Sequence, residues 1–165
     1  MPGCLFWCEA IDGNPAALSL YLRHYSSRKA RRRGRRAIGA GKLFVGPGEK
    51  LVLISQWEDA VFAWRLSRFR QDNEAGVECT IFRNESAHRN SEMIVEAVRL
   101  AWKEWPHQRL FTFVDPDAIA GTNPGYCFKL AGWSLCRDQA GKPRSTATGK
   151  FILERLPDAE GGGGE

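Results

Sequence analysis

One stretch constrains the chain more than any other: Thr80 to Trp105, TIFRNESAHRNSEMIVEAVRLAWKEW. Its reading is a strand over Gly76–Phe82, a polar turn over Arg83–Asn90 and an amphipathic helix over Ser91–Trp105. Met93, Ile94, Ala97, Val98, Ala101, Trp102 and Trp105 recur at helical spacing, and Glu92, Glu96, Arg99 and Lys103 fill the other face. Asn90 is the expected N-cap, with Ser91 and Glu92 in the first turn, where the helix dipole favours oxygens. A strand that runs through a polar turn into a helix start can present free backbone N–H groups to an anion. The same pattern also serves as a plain structural crossover in an α+β domain.

The rest of the chain supplies strands and shorter helices. Asn14-Pro15 predicts a helix start that runs through AALSLYLRHY, with Leu18, Tyr21, Leu22 and Tyr25 on one face. Strands are expected at Lys42–Val45 and Lys50–Ser55, flanking Gly46-Pro47-Gly48, and at Ala60–Phe69, followed by the loop Gln71–Ala75. These read as an antiparallel meander. After the long helix come a strand at Arg109–Val114, a turn at Asp115-Pro116-Asp117, a short helix from Asn123-Pro124 through GYCFKLAG, and strands at Trp133–Arg137 and Lys150–Leu156. The expected class is α+β: one domain over residues 1–157 with a mixed, mostly antiparallel sheet and helices packed on it, then a flexible tail over 158–165.

At 165 residues, 43% hydrophobic and 26% charged, the composition suits one globular domain. No apolar run reaches membrane-spanning length, and MPGCLFWCEAID lacks a signal-peptide pattern. The expectation is a soluble protein of the cytoplasm with no membrane partner. Of the five cysteines, Cys79 falls in a strand and Cys127 in a helix, as buried thiols often do. Cys4 and Cys8 have ligand-like spacing, but no second Cys/His pair completes a zinc site.

The net charge is +5, and it is concentrated. Gly13 to Gly48 holds nine Lys/Arg and no acid, while the other 15 Lys/Arg face all 19 Asp/Glu. Within the basic loop 26–42, seven of nine residues from Arg28 to Arg36 are cations: Arg28, Lys29, Arg31, Arg32, Arg33, Arg35 and Arg36. Such density points to nucleic acid, because each cation that meets a phosphate releases counterions. It carries no sequence specificity.

The element order, with NPGYCFKLAGW near the end, resembles the acyl-CoA-dependent N-acyltransferase superfamily (the GNAT fold) from roughly Asn14 to Leu156. That resemblance implies that the central strand and the following helix splay from the next strand. Acyl-CoA (acetyl-CoA or another) would lie in the gap, with its pyrophosphate on the helix N-terminus. The chain departs from the family twice. The usual loop is Q/R-x-x-G-x-G/A, whereas RNESAHRN has no glycine; side chains such as Arg83, Arg89 and Ser91, with Asn90, would then contact the coenzyme. The family's late tyrosine falls on Phe128, with Tyr126 two residues earlier.

A narrower likeness covers both departures. His24-Tyr25-Ser26, Arg83, Asn90-Ser91-Glu92, Asp115 and NPGYCF resemble the Mom-type branch of bacteriophage DNA-modification proteins. That branch decorates a DNA base and so defeats host restriction. The likeness implies functional roles for His24, Tyr25, Arg83, Ser91, Asp115 and Tyr126, with Asp117 the alternative to Asp115. It also implies double-stranded phage DNA as partner and the host cytoplasm as location.

Acyl transfer to an amine needs a base and a stabilised oxyanion. His24 is the first candidate base, and Asp115 or Asp117 the second. Tyr25 and Tyr126 are candidate hydrogen-bond donors. A base inside a duplex must also be exposed or flipped, and Trp57, Trp64 or Tyr25 could stack on it. His88 and His107 read as turn residues. A metal is weakly supported by three scattered histidines. Two alternatives stay open: the same fold acting on a nucleotide, small amine or protein, and a non-catalytic nucleic-acid-binding protein with an arginine arm.

Overall fold

A computed structural model describes residues 3–24, 43–118 and 123–158. Its elements are β1 (Trp7–Ala10), α1 (Pro15–Arg23), β2 (Glu49–Ser55), β3 (Ala60–Leu66), β4 (Val77–Asn84), α2 (Asn90–Glu104), β5 (Leu110–Val114), α3 (Tyr126–Leu130), β6 (Ser134–Leu135) and β7 (Phe151–Arg155). The strands form one seven-stranded sheet in the order β1-β2-β3-β4-β5-β7-β6. Every pair is antiparallel except β4–β5. The fold is therefore mixed α+β with a mostly antiparallel open sheet. Among the described residues, no helix is long and apolar enough to cross a membrane.

The central strands are buried on both faces, so they read as nearly continuous apolar runs. Leu51 and Leu53 join Phe62, Trp64, Met93, Ile94, Ala97 and Phe128 in the larger core, under α2 and α3. Val52 and Ile54 join Ala63, Ile81, Leu18 and Leu20 in the smaller core, under α1. That is the period-two alternation of a strand applied to two cores at once. Further along the α1 side, the Arg70 and Arg109 guanidiniums lie 5.0 and 4.9 Å from the Phe111 ring. Glu78 anchors Arg70, while Glu74 and Glu154 anchor Arg109, so these cations are already committed.

Several expectations are corrected. Leu43–Val45 is a loop, because the Phe44 and Val45 N–H groups donate to the Asp12 carboxylate instead of a ladder. The strand β1 was not anticipated. Its place depends on Glu96, which sits on the buried side of α2 although the sequence pattern put it on the polar face. The Glu96 carboxylate accepts from Leu5, Phe6 and Trp7 N–H at 2.6, 2.9 and 3.0 Å. The α1 N-terminus is as expected: Pro15 is at N1, and Asn14 Oδ1 accepts from Ala16 and Ala17 N–H. The helix stops at Arg23, short of His24, and the Arg83 guanidinium takes the Arg23 carbonyl at 3.0 Å. Arg89, not Asn90, caps α2, and it does so without a side-chain hydrogen bond. Only Ser134 and Leu135 form β6, since the Trp133 N–H turns back to the Phe128 carbonyl.

Candidate functional site: a cleft where two parallel strands part

β4 and β5 pair over three residues only: Val77 with Leu110, Glu78 with Phe111, and Cys79 with Thr112. Beyond that rung they separate. The pairing of β4 with β3 skips Thr80, passing from Trp64–Cys79 to Ala63–Ile81. Such a bulge bends its strand and re-aims side chains. Thr112 Oγ1 closes the last rung by donating to the Cys79 carbonyl at 3.0 Å, and Thr80 Oγ1 donates to the Ala63 carbonyl at 3.3 Å. Past the bulge, β4 follows β3 to Asn84 while β5 follows β7 to Val114.

The gap is a cleft of about 400 Å³. Thr80 to Phe82 line one wall, Thr112 to Val114 the other, and Tyr126, Cys127 and Phe128 of α3 close a third side. His24 lines the same cleft. Gly125, in the left-handed conformation at φ +76°, starts α3 where a Cβ would lie 2.2 Å from Leu153 Cδ1.

A second depression of about 600 Å³ continues from the first. It is lined by Ser86, His88, Arg89, Ser91 and Leu130, and it shares Asn84, Asn90, Tyr126 and Cys127 with the cleft. It ends on the N-terminus of α2. The Asn84 side chain organises this turn without any glycine. Its Nδ2 donates to the His88 carbonyl and to Asn90 Oδ1, and its Oδ1 accepts from Ser86 N–H and Oγ. Asn90 is thereby drawn away from capping, and the first intrahelical bond of α2 starts at Met93 N–H. The N–H groups of the first turn have no side-chain cap.

His24 sits where α1 ends, half-buried, with its basicity lowered to about 4. Loss of hydration on burial is the main cause, followed by the nearby Arg83 and Lys150 charges. At neutral pH the imidazole is therefore uncharged. Arg83 is not directed at the α2 turn. It donates to Glu85 at 2.6 Å and to the Arg23 carbonyl, while Arg23 pairs with the same Glu85 at 2.7 Å. These two guanidiniums hold the Glu85 carboxyl well below the usual carboxylate range. The cluster staples the end of α1, and with it His24, to the end of β4.

Tyr126 is 56% exposed and lies where cleft and groove join, whereas Phe128 is buried in the cleft wall against Phe82 and Trp133. Arg89 and Ser91 line the groove, and Asn90 lines both depressions. Asp115 is buried and accepts from the Asp117 N–H at 3.0 Å, while Asp117 is exposed; neither lines the cleft. Tyr25 and the cations Arg28, Lys29, Arg31, Arg32, Arg33, Arg35 and Arg36 lie outside the described residues. Among the described residues, no three His, Cys, Asp or Glu side chains converge as a metal site would need.

Sequence reasoning missed Phe82, Asn84, Thr112 and Phe113 as cleft residues. Only Asn84 carried a signal, as an Asn at a strand end before a turn. No protein-family model, curated protein or solved structure matches the chain.

Proposed function

We propose that the protein is an acyl-CoA-dependent N-acyltransferase acting on an amino group of a normal or hypermodified DNA base, a modification that would shield phage DNA from restriction. The observation that carries this reading is the parted β4–β5 cleft, with His24 and Tyr126 on its walls and an uncapped helix start at its end. The residues present fit the coenzyme: the open N–H groups of α2 beside Arg89 and Ser91 suit a pyrophosphate, and the apolar part of the cleft lining, Ile81, Phe82, Phe113, Val114 and Phe128, suits the thioester arm. When bound, acyl-CoA supplies an activated acyl group.

The chain's own residues do the rest. Tyr126 is placed to donate a hydrogen bond where cleft and groove meet. His24, uncharged at neutral pH, would take the proton that the acceptor nitrogen releases as its bond to the acyl carbon forms and the acyl–sulfur bond breaks, coenzyme A leaving as its thiolate. A base this weak suits an exocyclic amino group on an aromatic ring, which is neutral beforehand and strongly acidic once acylation begins. It suits a lysine-like amine poorly. The seven cations of Arg28–Arg36 begin four residues after His24 in the chain, which supports DNA as the source of that amine.

The test is to express the protein beside phage DNA, digest that DNA and weigh the nucleosides. A new, heavier nucleoside is expected, lost in His24→Ala and strongly reduced in Tyr126→Phe. An unchanged profile on normal and hypermodified DNA would remove the reading. A biological effect that survives His24→Ala would favour a non-catalytic DNA-binding protein instead.

A further inference from the structure

Trp57 stands at the tip of the β2–β3 hairpin and is 58% exposed. Its ring lies 5.0 Å from that of His88, tilted 35°, and Phe6 meets the His88 ring edge-on at 5.2 Å. Both halves of this stack are fixed. Ser55 Oγ accepts from Asp59 and Ala60 N–H and donates to Asp59 Oδ1. The Asp59 carbonyl accepts from Glu85 N–H, and Gln56 N–H and Nε2 donate to the Phe6 and Leu5 carbonyls. On the other side, the His88 N–H donates to Ser86 Oγ and its carbonyl accepts from Asn84. His88 also lines the groove at the start of α2, beside Arg89, Asn90 and Ser91.

We propose that the Trp57 ring, backed by His88, is a stacking site for a base of single-stranded or locally opened nucleic acid. An aromatic face already ordered by its neighbours loses little conformational freedom when a planar ring settles on it. The flanking acids favour a base over a phosphate there: Glu58 is exposed, and Asp59 is turned inward on Ser55. Arg89 is exposed and lines the same groove as His88, where the adjoining phosphate would lie. The basic run of Arg28–Arg36 makes a polyanion with bases the occupant that fits this chain. The inference deepens the nucleic-acid part of the proposed function, but its test contains no acyl donor, so loss of one does not entail loss of the other.

The full-length protein is titrated into two labelled ten-nucleotide DNA strands, one with bases and one abasic throughout, and anisotropy is read at several salt concentrations. Wild type should bind the base-bearing strand more tightly. Trp57→Ala should weaken that binding roughly 5- to 150-fold, leave the abasic strand unaffected and leave the salt slope unchanged. Trp57→Phe should retain most of the affinity. The exposed position makes both variants foldable, which circular dichroism checks. Equal binding of the two strands by wild type would overturn the proposal. So would a Trp57→Ala variant that binds like wild type or weakens on both strands alike.

Discussion

Removing the Glu96 carboxylate should cost as much stability as truncating a buried apolar side chain of α2 such as Met93 or Ile94. In the native chain it accepts three backbone N–H groups, from Leu5, Phe6 and Trp7, and the last is fully buried. Hydrogen bonds to a charged acceptor contribute roughly 1.5–3 kcal/mol each, and a buried donor left unpaired costs about 1–3 kcal/mol. Two of the three donors are only part-buried, so the sum for Glu96→Ala is discounted to about 3–5 kcal/mol. For a chain of this length, that corresponds to a fall in Tm of roughly 6–20 °C. Glu96→Gln keeps one acceptor oxygen and should lose somewhat less. The effect reaches the cleft, because the Trp7 ring packs on Phe62 and Phe82, and Phe82 is a cleft wall. The assay is urea unfolding followed by circular dichroism, with amide hydrogen exchange at residues 5–10. Glu92→Ala, at an exposed position of the same helix, should stay within about 0.5 kcal/mol of wild type. If Glu96→Ala lost under about 1 kcal/mol and kept the Leu5–Trp7 amides protected, the clamp would be refuted.

His24 should make the fold acid-sensitive. The unfolded imidazole binds a proton near pH 6.5, whereas the folded one resists until about pH 4. Stability is then complete above pH 6.5 and falls between 6.5 and 4, by on the order of 3 kcal/mol. His24→Asn should remove that slope, and an NMR titration of the His24 ring should show the depressed midpoint directly. Gly125→Ala should cost about 1–3 kcal/mol and distort the cleft, because its Cβ meets Leu153 at φ +76°. Gly132→Ala, with only the end of the Arg155 side chain at 3.4 Å, should cost less, as urea unfolding of the pair will show.

The order of elements was legible because their signals are local. The Asn14-Pro15 start is a capping pattern and the α2 stripe is a period, whereas Gly46-Pro47-Gly48 joins no hairpin because Leu43–Val45 is not a strand. What was not legible depends on distant partners. Glu96 has the spacing of a surface residue, and only the chain ends of Leu5–Trp7 draw it inward. Asn90 looks like a cap until Asn84 takes its side chain. β1 is four residues long and exists as the edge partner of β2. His24 and Tyr126 were marked from short motifs a hundred residues apart, and the parting of β4 from β5 brings both to one cleft. Arg83 was assigned to an anion, yet its guanidinium is engaged by Glu85 and the end of α1.

The most direct measurement is an NMR titration of the labelled protein with acetyl-CoA, read as backbone shift changes residue by residue. The proposed function predicts changes concentrated at Thr80–Phe82, Asn90–Ser91, Phe113–Val114 and Tyr126–Phe128, the two walls, the helix start and the third side of the cleft. No shifts at millimolar coenzyme, or shifts confined to the opposite groove around Val95, Arg99 and Trp102, would contradict it.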